Sequence, residues 1–180
     1  MADNNKVRFG LKNVYYAKMT VTGGAVTYGT PVAIPGAVNL DLSAEGSNDP
    51  FYADNTVYYQ AISNQGYSGS LEIAKVPFAM YTDIWGLTSD SNGNYTENAD
   101  VEPSSFALAF QIDGDADDIF HLLYNVSATR PNIGSATIEA SKTPQTQTCD
   151  ITAIANADGD VYTFGPASGA IGTWMSGLLS

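Results

Sequence analysis

Hydrophobic and polar residues alternate along most of this chain, which is the pattern of a β-strand with one buried face. The alternation is clearest over residues 38–43, 67–76 and 106–112. Similar patterns predict strands at 6–11, 14–19, 26–28, 57–62, 120–126, 136–140, 148–154 and 161–164. Long helices do not intervene, so a parallel α/β sheet is excluded and an antiparallel β-sandwich or barrel is predicted.

One segment shows a helical period instead. Pro77 suits the first turn of a helix, and Phe78, Tyr81 and Trp85 then fall on one ridge. Gly86 is placed to end the helix. We expect the three aromatic side chains to dock this helix, so the predicted fold is mainly β with one flanking α-helix.

The intervening segments are polar or rich in glycine and proline. Residues 44–50 carry the local signals of a loop, and the aromatic turn 51–55 follows. Residues 89–103 are either a loop or a hairpin tip around Asn92-Gly93. Residues 158–180 predict a last strand and a short apolar tail, with Trp174 as its candidate anchor. The length indicates one domain, residues 1–180.

The net charge of the chain limits which molecules it is expected to bind. Nineteen acidic residues against seven basic ones give a net charge of −12, which argues against a protein that grips nucleic acid through its phosphates. Eleven tyrosines are explained equally by cross-strand packing and by subunit contacts, and less well by carbohydrate binding. No apolar run approaches the length of a membrane span, so we expect no membrane insertion.

The acidic turn after the strand at 106–112 is the best candidate for a metal site. Asp113, Asp115 and Asp117 have the spacing with which a calcium loop begins. The positions that require glycine and glutamate hold Asp118 and Tyr124 instead. A solvated hairpin turn is therefore the better interpretation, and we predict no metal and no cofactor.

Catalytic chemistry has little support in the sequence. His121 is the single histidine and Cys149 the single cysteine, and no pattern places them together as a base and a nucleophile. A single cysteine also excludes an intramolecular disulfide. We expect no catalytic residues and no enzymatic activity.

Several segments together resemble one protein family. They are KVRFGLKNVYYA at the start, TPVAIPGAVNLDL with PFYADN, NQGYSGSLEIAKVP, and the long run from FALAFQIDGDADD to TQTCDITA. In this order they resemble the major tail protein family of long-tailed, non-contractile bacteriophages of Gram-positive hosts. The resemblance extends from about Lys6 to Ala155 and is weak beyond Asp158.

The resemblance implies a structural virion protein of the tail tube. Its subunits would form six-fold rings that stack into a hollow tube through which DNA passes without specific binding. The implied partners are other copies of the chain, the tape measure protein, the tail terminator and the distal tail proteins. Synthesis and assembly would take place in the host cytoplasm.

The resemblance also gives roles to individual residues. The acids expected to line the lumen are Asp41, Glu45 and Glu72. The residues expected to contact a neighbouring subunit are Phe51, Tyr52, Asp54 and Arg130, the last through an acid across the boundary. Two alternatives remain: a carbohydrate- or surface-binding β-module, and a related tube or cap subunit such as a tail terminator or secretion-tube protein.

Overall fold

Antiparallel strands make up most of the molecule. The computed structural model describes residues 10–114, 118–135, 137 and 144–180. The strands are β1 (Gly10–Thr22), β2 (Ala25–Tyr28), β3 (Val32–Ala33), β4 (Ala37–Glu45), β5 (Asn48–Ala53), β6 (Thr56–Ile62), β7 (Gly66–Ile73), β8 (Thr88–Ser89), β9 (Tyr95–Thr96), β10 (Phe106–Asp113), β11 (Ile119–Ala128), β12 (Gln147–Ile154) and β13 (Tyr162–Pro166). The helices are α1 (Phe78–Asp83) and α2 (Ile171–Leu178). The predicted mainly β, antiparallel fold is confirmed.

One large sheet organises these strands. Its order is β2-β1-β10-β11-β12-β7-β4, with β3 added to β1 and β13 added to β11. The sheet curls, so that β4 at one end also lies against β1. β5 pairs only with β6, and β8 only with β9, within the part of the chain that the structure describes. The result is an open barrel from which a hairpin extends.

The principal core fills the inside of the curled sheet. Tyr16, Leu71, Ile73, Phe106 and Leu108 are completely buried there. They come from β1, β7 and β10, whose alternate residues face inward. Burying each such side chain contributes about 2 kcal/mol, so this alternation fixes which face of these strands points into the principal core.

Helix α1 closes this core with side chains of which the sequence indicated only some. Met80 and Ile84 are fully buried and Trp85 nearly so. The Trp85 indole N–H donates to the carbonyl oxygen of Ala128 at 3.2 Å. Tyr81 is half-buried and lies against Trp85, with 5.4 Å between the ring centroids. The helix therefore docks through Trp85, Met80 and Ile84, with Tyr81 at the edge.

Phe78 corrects the expected docking ridge. Its side chain is 56% exposed and stacks on Tyr95 of β9, with 5.2 Å between centroids. The helix has only six residues, so its buried face is narrow and Met80 occupies it. The helix limits follow the sequence prediction: Pro77 precedes it, and Gly86 has a φ of +65° that ends it.

Helix α2 is a feature that the sequence did not indicate. It covers a second cluster on the opposite face of the sheet, which includes Ala107, Ala109, Phe120 and Leu122. The Trp174 ring packs against Phe120 with 5.5 Å between centroids. The eight-residue segment contains two glycines and has no side-chain cap, so its local helical signal is weak and tertiary packing decides its structure.

Residues 44–50 are not a loop, which corrects a second expectation. β4 continues to Glu45 and β5 begins at Asn48, so only two residues interrupt the strand. Residues 37–53 and 56–73 form one long hairpin. Its tip is Asp54-Asn55, with φ values of +51° and +60°, as a two-residue type I′ turn requires.

The structure tests the remaining strand and loop predictions only in part. The polar segment 89–103 begins with a hairpin, because β8 pairs with β9 around Gly93. Residues 6–9 and 136–140, except Thr137, lie outside the described residues, and so do Asp115 and Asp117. The strands predicted at 6–9 and 136–140 stay predictions.

Candidate assembly surfaces

The outward side of three neighbouring strands forms a continuous surface, which we call the polar face. It consists of residues 39, 41, 43 and 45 on β4, residues 68, 70 and 72 on β7, and residues 148, 150 and 152 on β12. Between them, Leu40, Leu42, Leu71, Cys149 and Ile151 of the same strands pack into the core. The polar face is therefore a direct consequence of strict alternation.

The strand register places three of the acidic residues in two adjacent rows across the polar face. Asp41 is opposite Ser70, which is opposite Asp150. Asn39, Glu72 and Thr148 form the next row in the same way. Directly opposite residues lie about 5 Å apart, so Asp41 and Asp150, which flank Ser70, are two strand spacings or roughly 10 Å apart.

Four carboxylates and no basic side chain occupy the polar face. Asp41, Glu45 and Asp150 are exposed, and Glu72 is half-buried. Glu72 accepts a hydrogen bond from the Thr146 hydroxyl at 2.6 Å, and Glu45 accepts one from Ser68. Hydroxyl groups hold two of the carboxylates in place without neutralising them. The surface is therefore negative and well hydrated.

The structure brings the three predicted acids onto this one face and adds a fourth. Sequence reasoning missed Asp150 as a partner of Asp41, although the alternation over 148–154 already placed it on the polar side of its strand. The missing information was the register of β12 on β7. Which side of an assembly this face lines stays a prediction.

The second surface is the distal hairpin, residues 48–62, which we call the arm. It extends about 20 Å beyond the large sheet, since its strands have six and seven residues. Its large apolar side chains are all exposed: Phe51, Tyr52, Val57, Tyr58, Tyr59 and Ile62. Tyr58 is 77% exposed and Ile62 80%.

Both faces of the arm are apolar, which distinguishes it from an ordinary surface hairpin. Phe51 is opposite Tyr59 on one face, and Tyr52 is opposite Val57 on the other. An isolated two-stranded hairpin is marginally stable in water. Large exposed apolar patches are typical of interaction sites, which makes the arm a candidate contact surface.

The charged side chains of the arm are all acidic. The arm carries Asp49 and Asp54, and residues 19–74 contain no lysine or arginine. A side-chain hydrogen bond joins two polar residues near the base of the arm: the Gln60 amide N–H donates to the side-chain oxygen of Asn48 at 2.6 Å. A partner surface that matches the arm would therefore offer apolar area together with positive charge.

The predicted contact residues divide into two groups. Phe51 and Tyr52 lie on β5 and Asp54 lies in the tip turn, so the structure places all three on the arm. Arg130 lies elsewhere, directly after β11, and its guanidinium pairs with Glu97 of the same chain. Contact of Arg130 with an acid of a neighbouring subunit stays a prediction.

His121 and Cys149, the two residues considered for catalysis, pack against other side chains of the sheet. His121 is in register with Phe110 and Phe164 and stacks on Phe110 with 5.0 Å between centroids. Cys149 is opposite Leu71 on another part of the sheet. Burial raises the pKa of the Cys149 thiol to about 11, which keeps it protonated and unreactive at neutral pH.

The acidic turn after β10 is held by a lysine. The Lys12 ammonium lies 2.8 Å from a carboxylate oxygen of Asp113 and 3.7 Å from Asp118. The hydrogen bond from Lys12 holds the pKa of Asp113 below its usual value. Among the described residues, no group of three His, Cys, Asp or Glu side chains is arranged to hold a metal ion.

No helix of the described residues is both long enough and apolar enough to span a membrane. In comparisons with known proteins, no family model and no curated protein matches the chain. Among solved structures, the chain is similar to the anti-feeding prophage cap, the cap that terminates the AFP tube, as determined by cryo-EM. The TM-score is 0.45 and the identity 16%, over 93% of this chain and 98% of that chain.

Proposed function

We propose that this chain is a structural subunit of a phage tail tube, specifically a major tail protein whose rings stack into a tube. The observation that carries the proposal is the arm, an apolar hairpin that no other described part of the chain covers. Each arm stabilises the assembly when a neighbouring copy buries it, because apolar burial contributes about 25 cal/mol per Å². The sequence resemblance to the major tail protein family supports the same function.

In this proposal the polar face lines the lumen. Its four carboxylates repel the phosphates of DNA, so the duplex slides without binding. A compact chain of this length has a diameter of roughly 40 Å, and six such bodies in a ring leave a central hole of a few tens of Å. A DNA duplex fits through such an opening. The role is architectural, without catalysis or a cofactor.

The other components follow from the sequence resemblance. We propose that the tube is built around a tape measure protein, closed by a tail terminator and attached to distal tail proteins, and that it forms part of the virion. These partners would contact the two terminal rings of the tube. In one of these rings the arms, and in the other the surfaces that receive arms, are not occupied by another copy of the chain.

Limited proteolysis combined with sedimentation tests the proposal. Chymotrypsin cleaves after Phe51, Tyr52, Tyr58 and Tyr59 when the arm is free. Trypsin provides the matched control, because residues 19–74 contain no lysine or arginine. We expect rapid chymotryptic cleavage of the arm in dilute protein and protection in the fraction that sediments as polymer.

Three results would contradict the proposal. A protein that stays monomeric at every concentration cannot be a tube subunit, and sugar binding by such a monomer would favour a carbohydrate-binding β-module. Single rings that never stack would favour a cap or terminator subunit. A polymer whose arm remains fully cleavable would show that assembly uses another surface.

A further inference from the structure

A second exposed aromatic surface lies beside helix α1, and we call Lys75, Phe78 and Tyr95 the aromatic step. The Phe78 and Tyr95 rings stack nearly parallel, with 12° between their planes, and both remain at least 40% exposed. The Lys75 ammonium lies 5.0 Å from the centroid of the Phe78 ring. The two rings and the cation together form an open platform that faces solvent.

The position of the aromatic step relative to the arm follows from strand direction. The chain leaves the arm, enters β7 at Gly66 and leaves β7 at Ile73, two residues before Lys75. The eight residues of β7 span about 25 Å. The arm and the aromatic step are therefore at opposite ends of the same strand.

The two surfaces are chemically complementary. The arm offers tyrosine and phenylalanine side chains with Asp49 and Asp54, and it has no cation. The aromatic step offers two rings and a lysine, and no carboxylate of the described residues forms an ion pair with Lys75. Aromatic rings attract one another beyond the effect of their buried area, and opposite charges fix the register of an interface.

We propose that the aromatic step is the docking site for the arm of a second copy of this chain. This inference rests on the proposed function and assigns the surface that receives the arm. Tyrosine side chains of the arm pack on Phe78 and Tyr95, and the carboxylate of Asp54 at the tip pairs with Lys75. Phe78 is exposed in the isolated chain because its partner is another molecule.

The geometry determines the kind of assembly. The contact joins two different surfaces, so it is heterologous, and each docked pair leaves one arm and one aromatic step unoccupied. Because these lie at opposite ends of β7, successive copies add in one direction along the strand axis. Docking of this kind stacks subunits head to tail and gives the polymer a polarity.

Site-specific cross-linking tests the contact. A double variant carries Asp54→Cys and Lys75→Cys, and the native Cys149 is buried and does not compete. Under mild oxidation of the polymer we expect a ladder of disulfide-linked dimers, trimers and longer chains on a non-reducing gel. Each single variant should remain monomeric on that gel. A matched control with Asp54→Cys and Val21→Cys, a valine that is also exposed, should give no ladder.

Charge exchange provides an independent test in the same assay system. Lys75→Glu and Asp54→Lys should each raise the protein concentration needed for polymerisation about tenfold, and the double exchange should recover most of that loss. If wild-type protein polymerises, but no ladder forms and the exchange does not recover assembly, the docking site is wrong while the proposed function stands. If wild-type protein never polymerises, both are wrong.

Discussion

Substitution of Tyr58 by serine separates assembly from folding. The side chain is 77% exposed in the isolated chain, and it lies on the arm, where none of the described helices and strands covers it. Tyr58→Ser therefore removes apolar area that only a neighbouring copy can bury. The folded subunit should keep its stability, because substitutions at exposed positions usually change the free energy of unfolding by less than about 0.5 kcal/mol.

The magnitude follows from the exposed fraction. Full burial of a large aromatic side chain contributes about 2.5 kcal/mol, and Tyr58 has about three quarters of its surface available. Docking of the arm should therefore lose about 2 kcal/mol for each subunit contact. That loss corresponds to a roughly 30-fold rise in the critical concentration for polymerisation.

The assay is sedimentation over a series of total protein concentrations, in which the plateau of unsedimented protein gives the critical concentration. Phe164→Ser is the matched control, since Phe164 is an aromatic residue that is 62% exposed and lies on β13, outside the arm. We expect the control to shift the plateau less than about threefold. Urea denaturation of dilute protein gives the free energy of unfolding for each variant.

Two outcomes would refute this reasoning. An unchanged critical concentration for Tyr58→Ser would show that the arm contributes nothing to assembly. A loss of about 2 kcal/mol in the free energy of unfolding, with no separate effect on assembly, would show that Tyr58 packs within its own subunit. The first outcome removes the observation on which the proposed function depends.

Three further predictions concern the subunit itself. The Tyr16 hydroxyl donates to Asp83 at 2.8 Å, so Tyr16→Phe should lower the free energy of unfolding by about 1.5 kcal/mol in urea denaturation; a negligible loss would contradict a role in holding α1. The Cys149 thiol has a pKa raised to about 11 by burial, so Ellman's reagent at pH 8 should react only after unfolding, and rapid labelling of folded protein would contradict this. Hydrogen bonds from Asn94 lower the pKa of Asp90 from 3.8. The charged form therefore supports the β8–β9 turn above that value, and the Asn94 amide NMR signal should shift only as pH falls below it; a midpoint at or above 3.8 would contradict this.

The strands of the large sheet were predictable because their signal is local. Over Leu40 to Ser43, partly buried leucines alternate with exposed polar residues as the sequence indicated, whereas Val38 lies at a bulge and is 52% exposed. In β10 the prediction of one open face was incomplete: residues 106–111 are all buried, because helix α2 covers the second face. The acids Asp41 and Glu72 could be placed on polar strand faces for the same reason. Each of these inferences needs only the period of one strand and no information about its neighbours.

The arm was not predictable from local signals. Gly46, Asn48 and Pro50 are each typical of a loop, yet Pro50 is opposite Gln60 in a hairpin whose pairing begins 13 residues earlier, at Ala37. Pairing across the hairpin outweighs the propensity of single residues. The acidic row from Asp41 to Asp150 was missed for a related reason, since register between distant strands has no local signature.

Phe78 shows the limit of helical periodicity. The spacing to Tyr81 and Trp85 correctly indicated a helix, but it could not show which side of a six-residue helix faces the core. Met80 and Ile84 are more completely buried than Phe78 and Tyr81. The exposed Phe78 is consequently available for a contact between copies, which the periodicity alone would have hidden.

Electron microscopy of the assembled protein tests the central claim most directly. The account predicts hollow tubes of uniform diameter at high concentration, with the polar face, including Asp41 and Asp150, lining the lumen. It also predicts that the arm of each subunit is covered by a neighbouring copy. Protein that stays monomeric at every concentration, or tubes whose polar face points outward, would contradict the account.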